Sequence, residues 1–347
     1  MSSSLVECVP NISEGRDLVK IKHIVNAAAA IDGCHVLGVE PDHDYHRTVI
    51  TLAGEPQAVK TGAVALIRKA ISTLDMREHK GEHPRLGVVD VCPFVPLKNI
   101  SMEACAELAK EVVNEVASLE EVPLFLYGAA ASHPQREVLS ALRRGEYEGL
   151  ESRLAGKHPK HDSITIHPDT GSMEWSETVA RSGGITVGAR PILVAYNVNL
   201  DEQGAEVAKK VGSLVRSSGR LIKSPSGQRI RTGGMLTKVQ GMGVDLEEHG
   251  ISQVSMNLID VELCPLHMAY ETVKSVAGDH GVGAAGSELV GLVPLDAMLK
   301  AGKFYASDLD EEAELVAAAV EGLGLNRHHT FNPQENIIEW ALKKVSQ

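Results

Sequence analysis

Titratable side chains are concentrated in a few short runs of the sequence. The densest is Glu78-His79-Lys80-Gly81-Glu82-His83-Pro84-Arg85. Gly81 admits backbone angles closed to other residues, and Pro84 biases His83 towards an extended conformation. A histidine on such a short, stiff connector suits proton transfer near neutral pH. A solvated loop histidine is the competing reading. A second run, Glu40-Pro41-Asp42-His43-Asp44-Tyr45-His46-Arg47, joins two apolar segments. Its carboxylates suit steadying a cationic intermediate or orienting a histidine; a hairpin loop of solvated charges is the alternative. His43 and His46 are three residues apart, but no third ligand accompanies them, so no metal is expected. In the third run, Val9-Pro10-Asn11-Ile12-Ser13-Glu14-Gly15-Arg16, Asn11 or Ser13 can cap a following helix, with Glu14 complementing its dipole. The same helix start could instead offer N–H groups to an anion.

Other glycine-rich or basic stretches are less specific. Gly183-Gly184-Ile185-Thr186-Val187-Gly188-Ala189-Arg190 lacks the GK[ST] of a phosphate loop and precedes a strand. Gly241-Met242-Gly243 is too short to mark a nucleotide site. The polar stretch from Arg216 to Gly234 carries Arg216, Arg220, Lys223, Arg229 and Arg231. It reads as a solvated, flexible face or as a local site for an anionic ligand.

The elements that must position these runs follow from apolar periodicity. Strands are expected at Leu5 to Val9, Cys34 to Val39, Arg47 to Ala53, Leu86 to Val95 and Val122 to Tyr127. Helices are expected at Leu18 to Ile31, Pro56 to Leu74 and Met102 to Ala117. The second half repeats the pattern. It has strands at Pro191 to Leu200, Leu236 to Val244, Ile251 to Val261 and Leu289 to Val293, and helices at Ala205 to Val215 and Leu266 to Ala277. Helices at Glu311 to Leu323 and Pro333 to Val345 close the chain. Each half therefore reads β-α-β-β-α-β, the split βαβ unit of ferredoxin-like folds. The fold class expected is α/β (α+β): two ferredoxin-like βαββαβ subdomains with mixed sheets and a ligand groove between them. The boundary is placed between residues 187 and 188, with Leu150 to Val187 as a long polar connection.

Composition narrows the function. The chain has 347 residues, 43% hydrophobic and 23% charged, which is ordinary for a globular protein of two domains. It carries 34 Lys plus Arg against 46 Asp plus Glu, a net charge of −12. No general electrostatic attraction to nucleic acid or anionic membrane is expected. The N-terminus lacks the pattern of a secretory signal, and no apolar run is long enough to span a membrane. Five cysteines without a CxxC fit free thiols in a reducing cytoplasm.

At these same runs the sequence resembles the glutamate formiminotransferase family, which is also the transferase half of formiminotransferase-cyclodeaminase. The resemblance rests on Leu5 to Gly15, on Lys80 to Gly87 continuing through Asp90-Val91-Cys92-Pro93-Phe94, and on Ala195-Tyr196-Asn197-Val198-Asn199-Leu200. Gln253-Val254-Ser255-Met256-Asn257-Leu258 and Glu288 to Pro294 extend it over nearly the whole chain. It implies transfer of a formimino group from N-formiminoglutamate to N5 of tetrahydrofolate, a step of histidine breakdown, with no metal and with a homodimer as the assembly. It implies His83 as the catalytic histidine, assisted by Glu40 where the family usually carries Asp. It implies substrate and folate contacts at Asn11, Asp42, Arg47, Lys80, Arg85 and the turn Ser182-Gly183-Gly184. Arg47 suits a substrate carboxylate because its planar fork binds bidentately. His46 stands where the family usually has Asn. The altered Glu40 to His46 segment leaves two alternatives: a related enzyme using formylglutamate or 5-formyltetrahydrofolate, and a folate-binding protein without catalysis.

Overall fold

The computed structural model describes residues 4–43, 45–81, 83–246, 250–328 and 330–345. The chain divides into two compact units, Met1–Pro191 and Ile192–Gln347. A cut between residues 187 and 188 would pass through a hydrogen-bonded strand, Ile185–Ala189, so the division falls just after it.

The first unit opens with strands β1 (Leu5–Cys8) and β2 (Asn11–Ile12), helix α1 (Leu18–Ala29) and strands β3 (Cys34–Asp42) and β4 (Arg47–Gly54). Helix α2 (Pro56–Thr73), β5 (Val89–Lys98), α3 (Met102–Leu119) and β6 (Pro123–Gly128) follow. Short helices α4 (Leu139–Leu142) and α5 (Leu150–Leu154), strand β7 (Thr170–Gly171), helix α6 (Glu177–Ser182) and β8 (Ile185–Ala189) complete it. β1 and β2 are one strand interrupted at Val9-Pro10, where proline lacks an amide donor. Together they lie between β4 and β5, and β3 pairs with β4. The spatial order is second, third, first, fourth, all antiparallel, as a ferredoxin-like unit requires. β5 then pairs in parallel with β8, and β8 with β6, so this sheet is mixed.

Alternation decides which side chains meet the helices. Val6, Cys8, Ile12, Ile50, Leu52 and Phe94 are buried in the core with α1, α2 and α3. Their strand neighbours Asn11 and Arg47 therefore point to the opposite face. The β3–β4 register adds Glu40 beside Val49 and Asp42 beside Arg47 on that same face. A smaller second core on this face joins Leu86, Phe125, Tyr127, Leu142, Leu150 and Val179.

The second unit comprises β9 (Val194–Leu200), α7 (Glu206–Val215), the hairpin β10 (Arg220–Lys223) and β11 (Arg229–Thr232), β12 (Val239–Leu246) and β13 (Ile251–Leu258). Then come α8 (Leu266–Gly278), β14 (Ala284–Val290), α9 (Leu295–Tyr305), α10 (Glu312–Gly322), α11 (Pro333–Asn336) and α12 (Ile338–Val345). Its sheet order, β12-β13-β9-β14, repeats the second-third-first-fourth arrangement, here antiparallel throughout. The stretch from Arg216 to Gly234, read as a flexible loop, instead contains the β10–β11 hairpin. Helix α9 was not anticipated, and the final helix is broken at Ile337 into α11 and α12. Among the described residues no helix is long and apolar enough to cross a membrane.

The connection between β6 and β8 is held by two buried arginines. Arg153 donates to the carbonyls of Ile166 (2.9 Å), Leu142 (2.6 Å) and Thr165, with its guanidinium 4.0 Å from the Phe125 ring centre. Burial and the neighbouring charge of Arg136 lower its pKa to about 9. Arg136 donates to the carbonyls of Ile164 and His167 and pairs with Asp169. Arg153→Leu fills the space but orphans three carbonyls. It should cost about 3 kcal/mol or more and lower the unfolding midpoint by about 6–12 °C in calorimetry. A midpoint within a degree of the parent would show that these carbonyls find other donors.

Candidate active site

His83 lies on the connector between α2 and β5. Its imidazole makes no hydrogen bond among the described residues. Burial lowers its pKa to about 3, and the positive charges of Arg47, Arg143, His79 and Arg85 act in the same direction. The ring is therefore neutral at pH 7 and able to accept a proton.

The arginines have capacity to spare. Arg47 starts β4 and donates from Nη1 to Asn11 Oδ1 at 3.4 Å, while its buried Nε has no hydrogen-bond partner. Burial makes its charge costlier, and Asp42 and Asp90 offset that. Arg143, just after α4, places Nη2 2.8 Å from Asp90 Oδ2 and also leaves a buried Nε without a partner. Asp90 is nearly fully buried on β5 and accepts the Leu86 N–H at 3.1 Å. Burial raises its pKa to about 6, against the opposing pull of Arg143 and Leu86 N–H. Glu40 is the most open of this group. The atoms packed around it still push its carboxyl above the usual value, with Arg47 opposing.

A second set of contacts fixes the connector itself. Arg85 is buried and binds Glu148 through Nη2 (2.7 Å) and Nη1 (3.0 Å), with Glu146 at 3.3 Å. Its Nε–H donates to His79 Nδ1 at 3.1 Å, and His79 Nε2 donates to the His46 carbonyl at 2.8 Å. His79 is thus a neutral tautomer; burial, with His46 and Arg85 beside it, keeps its pKa low. An open cavity of about 760 Å³ borders this connector, walled by Arg16, His79, Lys80, Gly81, Arg85 and Tyr147.

Glu40, Asn11, Arg47 and His83 thus share one side of the first sheet, whereas other expected contacts are otherwise engaged. Asp42 accepts the Tyr45 N–H at 2.9 Å and closes the β3–β4 turn. Arg85 is spent on Glu148 and His79. The Ser182 hydroxyl donates to Thr178, and the Gly183 and Gly184 amides donate to Val179 and Leu86. This turn cannot offer its two glycine amides to an anion. Its glycines serve close packing instead: a Cβ on Gly87 would meet the carbonyl oxygens of Ser182 and Gly184 at 2.5 Å. Lys80 is exposed at the cavity edge with no ion pair among the described residues. The cap of α1 is Asp17, accepting from Val19 and Lys20, not Asn11 or Ser13. Asn11 is in β2, and Ser13 donates to the Gly87 carbonyl at 2.7 Å. Asp44, in the second run, and Glu82, beside His83, lie outside the described residues. Arg143 and the role of Asp90 escaped the sequence reading. Nothing in the spacing of Arg143-Arg144 marks one of them as facing His83.

The second unit carries a polar sheet face of its own. Tyr196, Val198, Val254 and Met256 are buried against its helices. The alternating Asn197, Asn199, Gln253, Ser255 and Asn257 take the other face, where Gln253 donates to Asn199 at 2.8 Å. The motifs Ala195 to Leu200 and Gln253 to Leu258 thus encode two adjacent strands, each apolar on one side and rich in amides or hydroxyls on the other.

Two ferredoxin-like units, one bearing a neutral histidine among arginines, define a two-unit α/β protein. The formiminotransferase domain, N-terminal subdomain, matches residues 5–190, and the formiminotransferase domain matches residues 195–343. The chain belongs to the formiminotransferase family. It is 40% identical to a formimidoyltransferase-cyclodeaminase of Rattus norvegicus over 98% of this chain, and spans 60% of that relative's length. It is 35% identical to a glutamate formimidoyltransferase of Streptococcus pyogenes serotype M1, over 90% of this chain and 98% of the relative. A glutamate formimidoyltransferase of Thermoplasma acidophilum is 37% identical over 87% of this chain and 92% of its own length.

The raised Asp90 carboxyl has a testable sign. Its folded-state pKa of about 6 exceeds the unfolded value, so the native state holds this proton more tightly. Its contribution is full below about pH 4 and is lost as pH rises to about 6. Relative to Asp90→Asn, the wild type should lose about 3 kcal/mol of stability over that interval and stay level above it. Paired urea titrations across pH measure the gap. A constant gap would place the Asp90 pKa at its ordinary value.

Proposed function

We propose that this chain is a glutamate formiminotransferase. It moves the formimino group of N-formimino-L-glutamate to N5 of tetrahydrofolate, giving 5-formiminotetrahydrofolate and L-glutamate. The observation that carries this reading is the neutral His83 beside Arg47 and Arg143, whose Nε donors are unspent. The glutamyl portion of either substrate supplies the carboxylates that such donors recognise.

The chemistry needs one group that both takes and gives a proton. N5 of the folate forms a bond to the amidine carbon, and His83 takes the proton that N5 loses. The tetrahedral intermediate then breaks its bond to the glutamate nitrogen, to which His83 returns the proton. The proton count closes, and no redox change occurs. Such catalysis contributes about 10²–10⁴-fold. Arg47 and Arg143 orient carboxylate and balance its charge, and Glu40 is placed to steady the cationic amidine carbon. Tetrahydrofolate serves as co-substrate, and no metal enters the reaction. Buried free thiols at Cys8, Cys34, Cys92, Cys105 and Cys264 support a reducing, cytoplasmic setting. A homodimer is the assembly proposed.

The test is a coupled assay with tetrahydrofolate and formiminoglutamate, read after acid cyclisation of the product to a methenyl folate. Wild type should turn over, and a folded His83→Ala variant should lose about 10²-fold or more. Turnover only with formylglutamate or 5-formyltetrahydrofolate would replace the donor. Equal rates in the two proteins would remove His83 from the chemistry. Arg47→Ala should raise KM for formiminoglutamate about tenfold or more, the loss of a charge-assisted contact of 1.5–3 kcal/mol in order of magnitude; an unchanged KM would take Arg47 out of substrate binding. The pH profiles should also separate. Bound carboxylate offsets the arginine charge and raises the His83 pKa from about 3, so the acid limb of kcat should lie at higher pH than that of kcat/KM. Coincident limbs would mean that the substrate leaves the field at His83 unchanged.

A further inference from the structure

His46 occupies an unusual position for a residue with a Cβ. Its φ is +51°, in the left-handed region, which costs a non-glycine residue of order 1 kcal/mol. Its ring is nevertheless fully engaged. Nδ1 is 2.9 Å from the Lys80 carbonyl oxygen, and Nε2 is 3.0 Å from Glu14 Oε1. Both partners are acceptors, so the ring is held between a carboxylate on one side and the connector carbonyl on the other. Glu14 is fixed in turn, because the same oxygen accepts the N–H groups of Arg16 (2.9 Å) and Asp17 (3.0 Å). The His46 carbonyl accepts from His79, and the two imidazoles stack with centres 4.3 Å apart and planes 10° from parallel. The charged groups around the ring are Glu14 from the β2–α1 turn, His79 and Lys80 from the connector, Arg47 next in the chain and Arg85 behind His79.

The connector lies directly on this residue. A Cβ on Gly81 would fall 2.5 Å from the His46 Cβ and from the Tyr45 carbonyl oxygen. His83 is two residues further on, and its ring has no hydrogen bond of its own among the described residues. The placement of the His83 ring is therefore set through the connector backbone. That backbone is held at Lys80 by His46, at His79 by the stack, and at Arg85 by Glu148.

We propose that His46 is a positioning residue that clamps the His83 connector by bridging Glu14 and the Lys80 carbonyl through both ring nitrogens. The effect on turnover rests on the formiminotransferase reading; the clamp itself does not. With the His46 ring gone, the connector loses both the Lys80 bond and the His79 stack, and keeps only the His79 bond to the residue 46 carbonyl and the Arg85–Glu148 pair. A displacement of about 1 Å at a reacting group costs up to about 10²-fold in rate.

The experiment compares wild type, His46→Ala and His46→Gln, each checked for folding by circular dichroism and thermal melting. kcat and KM are measured with tetrahydrofolate and formiminoglutamate, and histidine ring signals by long-range ¹H–¹⁵N correlation. His46→Ala should lower kcat about 10–100-fold with KM within about threefold. His46→Gln, which keeps an N–H donor for one of the two bonds, should recover part of the loss. His46→Ala should shift the His83 ring signals. A kcat within threefold of wild type, or a fall that Gln does not relieve, overturns the proposal. If wild type shows no turnover, the formiminotransferase reading fails. The clamp then stands or falls on the ring signals: His83 signals unmoved by His46→Ala overturn it.

Discussion

Three guanidinium groups around one imidazole are an expensive arrangement, and the first unit is organised to hold it. Arg143 is met by Asp90, Arg85 by Glu148 and Glu146, and Arg47 by Asn11 with Asp42 and Asp90 in its field. Burial first, and then the positive charges that these pairs leave around it, push the His83 pKa to about 3. The site is stable as a set of fixed pairs, yet it retains a net attraction for an anion.

Those pairs depend on the sheet. Glu40, Asn11, Arg47 and Asp90 are on four different strands or strand segments. They converge because the ferredoxin-like order puts the first strand between the third and the fourth. Antiparallel register then decides which side chains share a face. A one-residue slip of β4 would send Arg47 to the helices and Thr48 to the site. Ile50 and Leu52 oppose such a slip, since both are fully buried in the helix-packed core. Core burial on one face thus specifies which polar side chains gather on the other. The second unit uses the same logic, with Tyr196 and Val198 holding Asn197 and Asn199 outward.

The repeat was legible because alternation and helical spacing survive in every element of its frame. His83, Glu40 and Arg47 stood out as residue types in dense polar runs and through family resemblance, and the fold brings them near one another on the first sheet. What failed to show has physical reasons. The apolar run from Leu86 continues into β5, but pairing begins only at Val89, since Gly87 bridges to Gly183 first. The cap of α1 was sought at Asn11 or Ser13 and is Asp17, because many residue types can cap and only the turn decides which one does. Ser182 to Gly184 looked like a ligand loop because glycines serve close packing and ligand approach equally. Arg143 meets Asp90 only after a long connection folds back, and no local pattern records that. Hairpin β10–β11 is exposed along both strands, so it has no apolar alternation to read.

That hairpin also shows why net charge is a poor guide to local chemistry. From residue 207 to 244 the chain has eight cations (Lys209, Lys210, Arg216, Arg220, Lys223, Arg229, Arg231 and Lys238) and no acid. The other segments hold the remaining 26 cations against all 46 acids. Within the hairpin Lys223 pairs directly across from Arg229, a like-charge juxtaposition that destabilises the ribbon. Ile222 opposite Ile230 provides a compensating apolar contact. At the first unit's site the arginines are packed and tied to carboxylates, and the same sign of charge gains geometric definition. Charge alone therefore does not distinguish a site from a surface. The difference is whether burial and fixed counter-ions hold the donors in one arrangement, and in the first unit they do so around His83.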